Sequence, residues 1–149
     1  MPEDILPIDL EKRIYKSSHI LVATFFGGPL AATYMLAMNF RQMGLPEKFK
    51  KTWIWGSFAI ILFFFLAFII PDTKHIPSLA LPLACLAAAS TTTKYTQQSE
   101  IQKHIDEGGF TYSVWRAIAI GLISLVITLA VIVMILLALD QIFGWEPSL

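Results

Sequence analysis

Few side chains in this sequence could do chemistry, and their spacing keeps them apart. The histidines are His19, His75 and His104, and the single cysteine is Cys85. No two histidines stand at the i, i+3 or i, i+4 spacing that places two imidazoles on one helix face for a metal ion. Cys85 sits in the apolar stretch LPLACLAAAS without a nearby His, Asp or Glu to activate it, so it reads as a small packing residue. His104 lies among charged residues and reads as solvated. None of the G-x-S-x-G, H-E-x-x-H or G-x-x-x-x-G-K-[ST] patterns is present, and the glycine pairs Gly27–Gly28 and Gly108–Gly109 are too short to cradle phosphates. No catalytic residue, metal ligand or cofactor is therefore expected. An intramembrane enzyme would need a cavity in which His19, His75 or Asp72 meets other polar groups.

The elements around these residues read far more clearly. Hydrophobic residues make up 56% of the 149-residue chain and charged residues only 15%, against about 25% charged in an ordinary soluble protein. The apolar residues are also clustered. Ile20–Phe40 and Val114–Leu139 each carry at most one charge and match the roughly 20 helical residues that cross a hydrocarbon core about 30 Å thick. The fold class expected is an all-α, polytopic transmembrane helix bundle of four spans. The formal net charge is zero, which gives no reason to expect a nucleic-acid partner. Residues 1–19 hold Glu3, Asp4, Asp9 and Glu11 ahead of any basic residue, unlike a signal peptide, so the first apolar stretch should be retained.

Residues 1–18 form a polar to mildly amphipathic lead, either a surface helix or a solvated tail, and Ser17 or Ser18 could cap the first span. That span covers about 19–40. Pro29 removes a backbone hydrogen bond there and should kink it. Small residues four apart, Ala23/Gly27/Ala31 and Gly28/Ala32, make a close-packing seam; a broken helix that bares carbonyls to a solute is the competing reading. The segment 41–52 (RQMGLPEKFKKT) is a short basic loop. A second span covers 53–70, with Trp53 and Trp55 as interface anchors at its start.

The third expected span, 76–93, has an apolar part of only about 14 residues, with Pro77 and a possible kink at Pro82 inside it. Ala80, Ala84 and Ala88 would be its packing stripe, and a re-entrant course stays open for this segment, leaving three crossings instead of four. The polar stretch 94–113 contains EIQKHIDE, two turns of amphipathic surface helix stopped at Gly108–Gly109, after which Thr111 or Ser113 could cap. The last span, 114–139, is the most apolar, with Tyr112 and Trp115 at its entry, Trp145 past its exit, and Ala117 and Gly121 as a packing notch. A C-terminal tail fills 140–149.

With four spans, Arg41, Lys48, Lys50, Lys51, Lys94, Lys103 and Arg116 share one side, against Lys12, Arg13, Lys16 and Lys74 on the other. The positive-inside rule then places 41–52 and 94–113 in the cytoplasm and both termini outside. Two stretches, FFGGPLAATYMLAMNFRQMG and HIDEGGFTYSVWRAIAIGLISLVITL, resemble segments of uncharacterised small polytopic membrane proteins of bacteria. That resemblance implies a multi-pass protein of the bacterial cytoplasmic membrane and no activity. The function expected first is non-catalytic: helix–helix association in the bilayer, as a homo-oligomer or as an accessory subunit of other membrane proteins. The alternative is a small oligomeric carrier or pore for a neutral or apolar solute, resting on Pro29, Pro77 and Pro82 and on mid-span polar groups such as Thr24, Thr33 and Tyr34.

Overall fold

The computed structural model describes residues 11–69 and 80–143. They form five α-helices: α1 Ser17–Gln42, α2 Pro46–Ile69, α3 Ala80–Thr96, α4 Gln98–Asp106 and α5 Val114–Phe143. Three of them, α1, α2 and α5, are long and apolar enough to cross a membrane.

α1, however, does not run straight. Gly28 has φ 61° and ψ −151°, a conformation essentially confined to glycine. Pro29 follows and has no N–H to carry the helical ladder across the break. A continuous helix would hold Tyr15 and Asn39 about 36 Å apart at 1.5 Å per residue. Instead the Tyr15 backbone N–H lies 2.7 Å from Asn39 Oδ1. A Cβ added to Gly27 would meet the Ala31 side chain at 2.8 Å, where an unbroken helix separates such atoms by about 5–6 Å. α1 is therefore a helical hairpin. Its arms, 17–27 and 29–42, are about 16 and 21 Å long, and both ends lie at one face of the molecule. The expected through-going span over 19–40 is corrected to this fold-back, because the two glycines and the proline form a turn where a proline kink alone would have left the helix running forward.

The hairpin is the centre of the fold, and α2, α3 and α5 each pack on it. Ile20, Ala23, Ala31, Met35 and Leu36 from its two arms form the core with Tyr15 and Ala117. α2 and α5 turn apolar side chains outward, among them Ile54, Ile61, Val126 and Met134, each about two-thirds exposed. For a helix bathed in hydrocarbon this is the favourable arrangement.

Helix ends depart from expectation in several places. The basic loop is only Met43–Leu45, where Gly44 takes φ 73°. Pro46 opens α2, as suits a residue whose φ is already helical and whose N–H is not needed. Lys48, Lys50 and Lys51 are thus helical, and Trp53 and Trp55 lie about two turns or more inside α2. Neither Ser17 nor Ser18 caps α1: Lys16 is the cap residue without a side-chain bond, and Ser17 Oγ donates to Gln98 Oε1 at 2.7 Å instead. Ser113 Oγ does accept from Trp115 N–H, at 3.3 Å. α5 continues into the expected tail as far as Phe143. Residues 1–10, 70–79 and 144–149 lie outside the described residues, and with them His75, Pro77 and Trp145.

Residues 11–16 are not a solvated tail. Ile14 and Tyr15 are each 1% exposed. Ile14 pairs with the stretch before α5, donating to Phe110 O at 3.3 Å and accepting from Tyr112 N–H at 2.9 Å. Lys12, Arg13 and Lys16 therefore stand on the same face as the starts of α2 and α5 and the end of α3. This corrects the expectation that they lie opposite the other basic residues.

Candidate functional site

Two features of the hairpin define the site: a seam on one side and a gap on the other. On the α5 side the small residues meet backbone to backbone. A Cβ at Gly27 would fall 2.6 Å from Gly121 O and 2.7 Å from Ser124 Cβ, and a Cβ at Gly121 would fall 2.9 Å from Ala23 O. Ala23, Ala31 and Ala117 are fully buried beside them. These small residues are engaged inside the chain, joining α1 to α5, and so are not free to meet a second copy. Gly28 is not part of the seam, since nothing lies within 4 Å of its missing Cβ; it is the turn.

On the other side α2 and α3 both rest on α1 but make at most marginal contact with each other. Between them lies a cavity of about 750 Å³, within the usual range for a site holding a small molecule or cofactor. Its lining is graded. At the face where α2 begins stand Lys48, Lys51, Ser99 and Glu100 beside Phe40; a middle band carries Thr52, Thr92, Tyr95 and Thr96 with Leu36 and Trp55; the deep end is Pro29, Ala32, Thr33, Gly56, Ala59, Cys85, Ala88 and Ala89. Lys48 Nζ bridges the mouth to Glu100 Oε1 at 3.8 Å and lies 5.5 Å from the centre of the Phe40 ring. At Gly56 the Thr33 side chain occupies the space where a Cβ would go, so α2 can approach α1 only because this residue is glycine.

The expected stripe Ala80/Ala84/Ala88 on α3 is not its contact face. Ala84 and Ala88 are exposed, Ala88 toward the cavity, and Ala89 and Thr93 are the buried residues. Alanine recurs at 80, 84, 87, 88 and 89, so spacing alone could not choose among neighbouring faces. Pro82 is the third residue of the described helix, where the N–H has no intrahelical partner to lose. No kink follows there.

A polar latch ties the two ends of α1 to the end of α3. The Asn39 carboxamide accepts from Tyr15 N–H and donates back to Tyr15 O at 2.9 Å, so a side chain completes the pairing that a neighbouring strand would supply. It also donates to Gln97 Oε1 at 3.1 Å, and Gln97 Nε2 donates to Leu36 O at 2.7 Å. Asn39 and Gln97 are fully buried. The Tyr15 ring stacks on Tyr112 with centroids 4.4 Å apart, and its hydroxyl accepts from Arg116 Nε at 3.0 Å. Burial raises the Tyr15 phenol above its ordinary value, with the Arg116 hydrogen bond partly opposing. The guanidinium of Arg116 in turn lies 4.4 Å from the Tyr112 ring centre. Tyr112 is thus held by Tyr15 and Arg116, whereas Trp55 and Trp115 are exposed and Trp53 is half-buried. Sequence reasoning misses Asn39, Gln97 and Gly56. The one available signal is that Asn39 is the only amide in the run LAATYMLAMNF (Leu30–Phe40), a polar residue that needs a partner if it enters a core.

The residues suited to chemistry do not converge. His104 is buried, contrary to expectation: its ring fills the space above Gly109, and Nε2 lies 3.2 Å from Phe110 O. That pairing explains the position structurally, since α4 needs a buried residue to seat it under the loop. His19 is half-buried, with Nδ1 buried and unpaired. No group of three His, Cys, Asp or Glu among the described residues could hold a metal ion. Thr24 Oγ1 donates to Ile20 O at 2.7 Å within its own helix and does not face a solute path. No family model, curated protein or solved structure matches the chain.

Proposed function

We propose that this is a multi-pass membrane protein that binds an elongated apolar or amphipathic molecule in the gap between α2 and α3, entering sideways from the bilayer. The observation that carries the reading is the graded cavity: mostly apolar at its deep end, hydroxyl-lined in the middle and charged at its mouth. In the bilayer α2 and α5 cross, α3 brings the chain back to the face where α2 begins, and α1 dips in and returns, since neither of its arms reaches the roughly 30 Å of a hydrocarbon core. All ten Lys and Arg of the described residues then share one face: Lys12, Arg13, Lys16, Arg41, Lys48, Lys50, Lys51, Lys94, Lys103 and Arg116. Such an excess belongs in the cytoplasm by the positive-inside rule, with residues 41–52 and 94–113 there, the N-terminal segment beside them and the end of α5 outside.

Binding within the gap fits better than association through the small-residue seam, because that seam is occupied by α5. A second reading, an accessory subunit that receives a partner's helix, keeps support from Ala59 and Ala88, small exposed residues that would let another backbone come close. The test is native mass spectrometry of the detergent-extracted protein together with the variant Ala88→Trp, which fills the gap from an exposed position. The expected result is a small co-purifying adduct on the wild type that the variant lacks. Equal adducts on both chains would overturn the proposal, and a bound second polypeptide would establish the accessory-subunit reading instead.

A further inference from the structure

We infer that the occupant of the gap is an anionic phospholipid of the leaflet on the basic face, its headgroup phosphate held at Lys48 and Lys51 and one acyl chain lying along the second arm of α1. This inference rests on the proposed lipid-side entry and adds the chemical class of ligand.

Three observations converge on it. The first is length. Along α2 the cavity runs from Lys48 to Ala59, and along α1 from Phe40 to Pro29. Eleven residue-to-residue steps in each case are about 16 Å of helix, roughly half of a hydrocarbon core about 30 Å thick. The cavity is thus one leaflet deep and stops at the hairpin turn. A through-going pore or a full partner helix would need a groove about twice as long. The second is the polarity gradient, since the mouth carries the ions and the deep end is mainly alanine, glycine and proline, which is the order of groups along a phospholipid. The third is charge. Lys48 is already paired with Glu100, while Lys51 lines the same mouth with no ion pair among the described residues. The mouth therefore carries one uncompensated positive charge, set in a face with ten basic and five acidic residues among those described: Glu11, Glu47, Glu100, Asp106 and Glu107. An anionic headgroup satisfies Lys51 directly and competes with Glu100 for Lys48.

The competition gives the binding a sign that non-specific attraction lacks. Removing Glu100 should strengthen retention of the lipid, whereas removing Lys51 should weaken it. A lysine near an anionic lipid surface contributes about 1 kcal/mol, which is about five-fold in an equilibrium constant. The experiment is native mass spectrometry of the full chain equilibrated with phosphatidylglycerol or phosphatidylcholine of identical acyl chains. Wild type should retain the anionic lipid preferentially. Lys51→Gln should reduce that preference about five-fold and Glu100→Gln should raise it, while Lys50→Gln, a neighbour outside the cavity with the same charge change, should leave it alone.

Equal retention of the two lipids, both displaced by Ala88→Trp, would overturn the headgroup assignment and leave the apolar gap standing. Equal losses in Lys50→Gln and Lys51→Gln would also overturn it, because the attraction would then belong to the whole face. Lipid retention that Ala88→Trp does not change would overturn the gap itself. Thermal stability of each variant, measured alongside, separates loss of binding from loss of fold.

Discussion

α1 and α5 look alike as strings of letters and behave oppositely in the fold. Both are long, apolar and almost free of charge, yet α1 turns back at Gly28 and is buried on most sides, while α5 runs unbroken for 30 residues with its flanks exposed. The difference lies in three residues, Gly27–Gly28–Pro29, against the leucine, isoleucine and valine that fill the middle of α5. Apolar length says that a segment can enter a membrane; it does not say that the segment leaves by the other side. The two helices also differ in the contacts that hold them. α5 needs only a narrow contact strip at Ala117, Gly121 and Ser124, whereas α1 needs the seam, the turn and the Asn39 latch together.

Substitutions can break that contrast, beginning with the seam. Gly27→Leu has no room, because a Cβ alone would stand 2.6 Å from Gly121 O. A loss of about 3 kcal/mol or more is expected, read as collapse of the denaturant unfolding midpoint or failure to recover folded protein. Val126→Ala, on the exposed flank of α5, should change stability by no more than about 0.5 kcal/mol. Similar outcomes for the two would mean that α1 is no more tightly held than α5.

The turn comes next. Gly28→Ala meets no neighbouring atom but forces a Cβ into a φ of 61°, and a cost of about 1–3 kcal/mol is expected from backbone strain alone. Unchanged stability would show that the arms can join by another route. The latch should follow at a similar or smaller size: Asn39→Ala leaves the Tyr15 backbone and Gln97 without their partner, and an unsatisfied buried group costs about 1–3 kcal/mol. The readout that a merely destabilised core would not give is faster amide exchange at Tyr15 than elsewhere in the seam.

The smallest expected effect is in alkali. Tyr15 has its ionisation raised above 10.0 by burial, so the folded state holds this proton more tightly than the unfolded chain does. The resulting stabilisation is fully present below pH 10.0 and fades as pH rises through the folded-state value. Tyr15→Phe should remove that part of the alkaline decline. A thermal-melt series through alkaline pH in which both proteins fall in parallel would count against it.

The sequence alone was enough for the class of protein and for most of its helical segments, though not for the fold-back in α1 or the helical course of 46–52. Clustered apolar residues with so few charges can be reconciled with water only by burying whole helices in lipid, and Gly44, Pro46, Gly108 and the runs between them mark helix ends through local backbone preferences that need no tertiary context. The sequence also marked Ala23, Gly27, Ala31, Ala117 and Gly121 as places of close approach. Which surfaces approach was decided by tertiary structure. The partners Gly27–Gly121 and Tyr15–Asn39 are distant in the chain, and small residues alone do not specify whether they meet a neighbour or a second molecule. The turn at Gly28, the common face of the basic residues and the gap between α2 and α3 likewise exist only once the hairpin closes. A helix's direction after a glycine–proline break is set by which contacts its two arms can make, and no local signal carries that information.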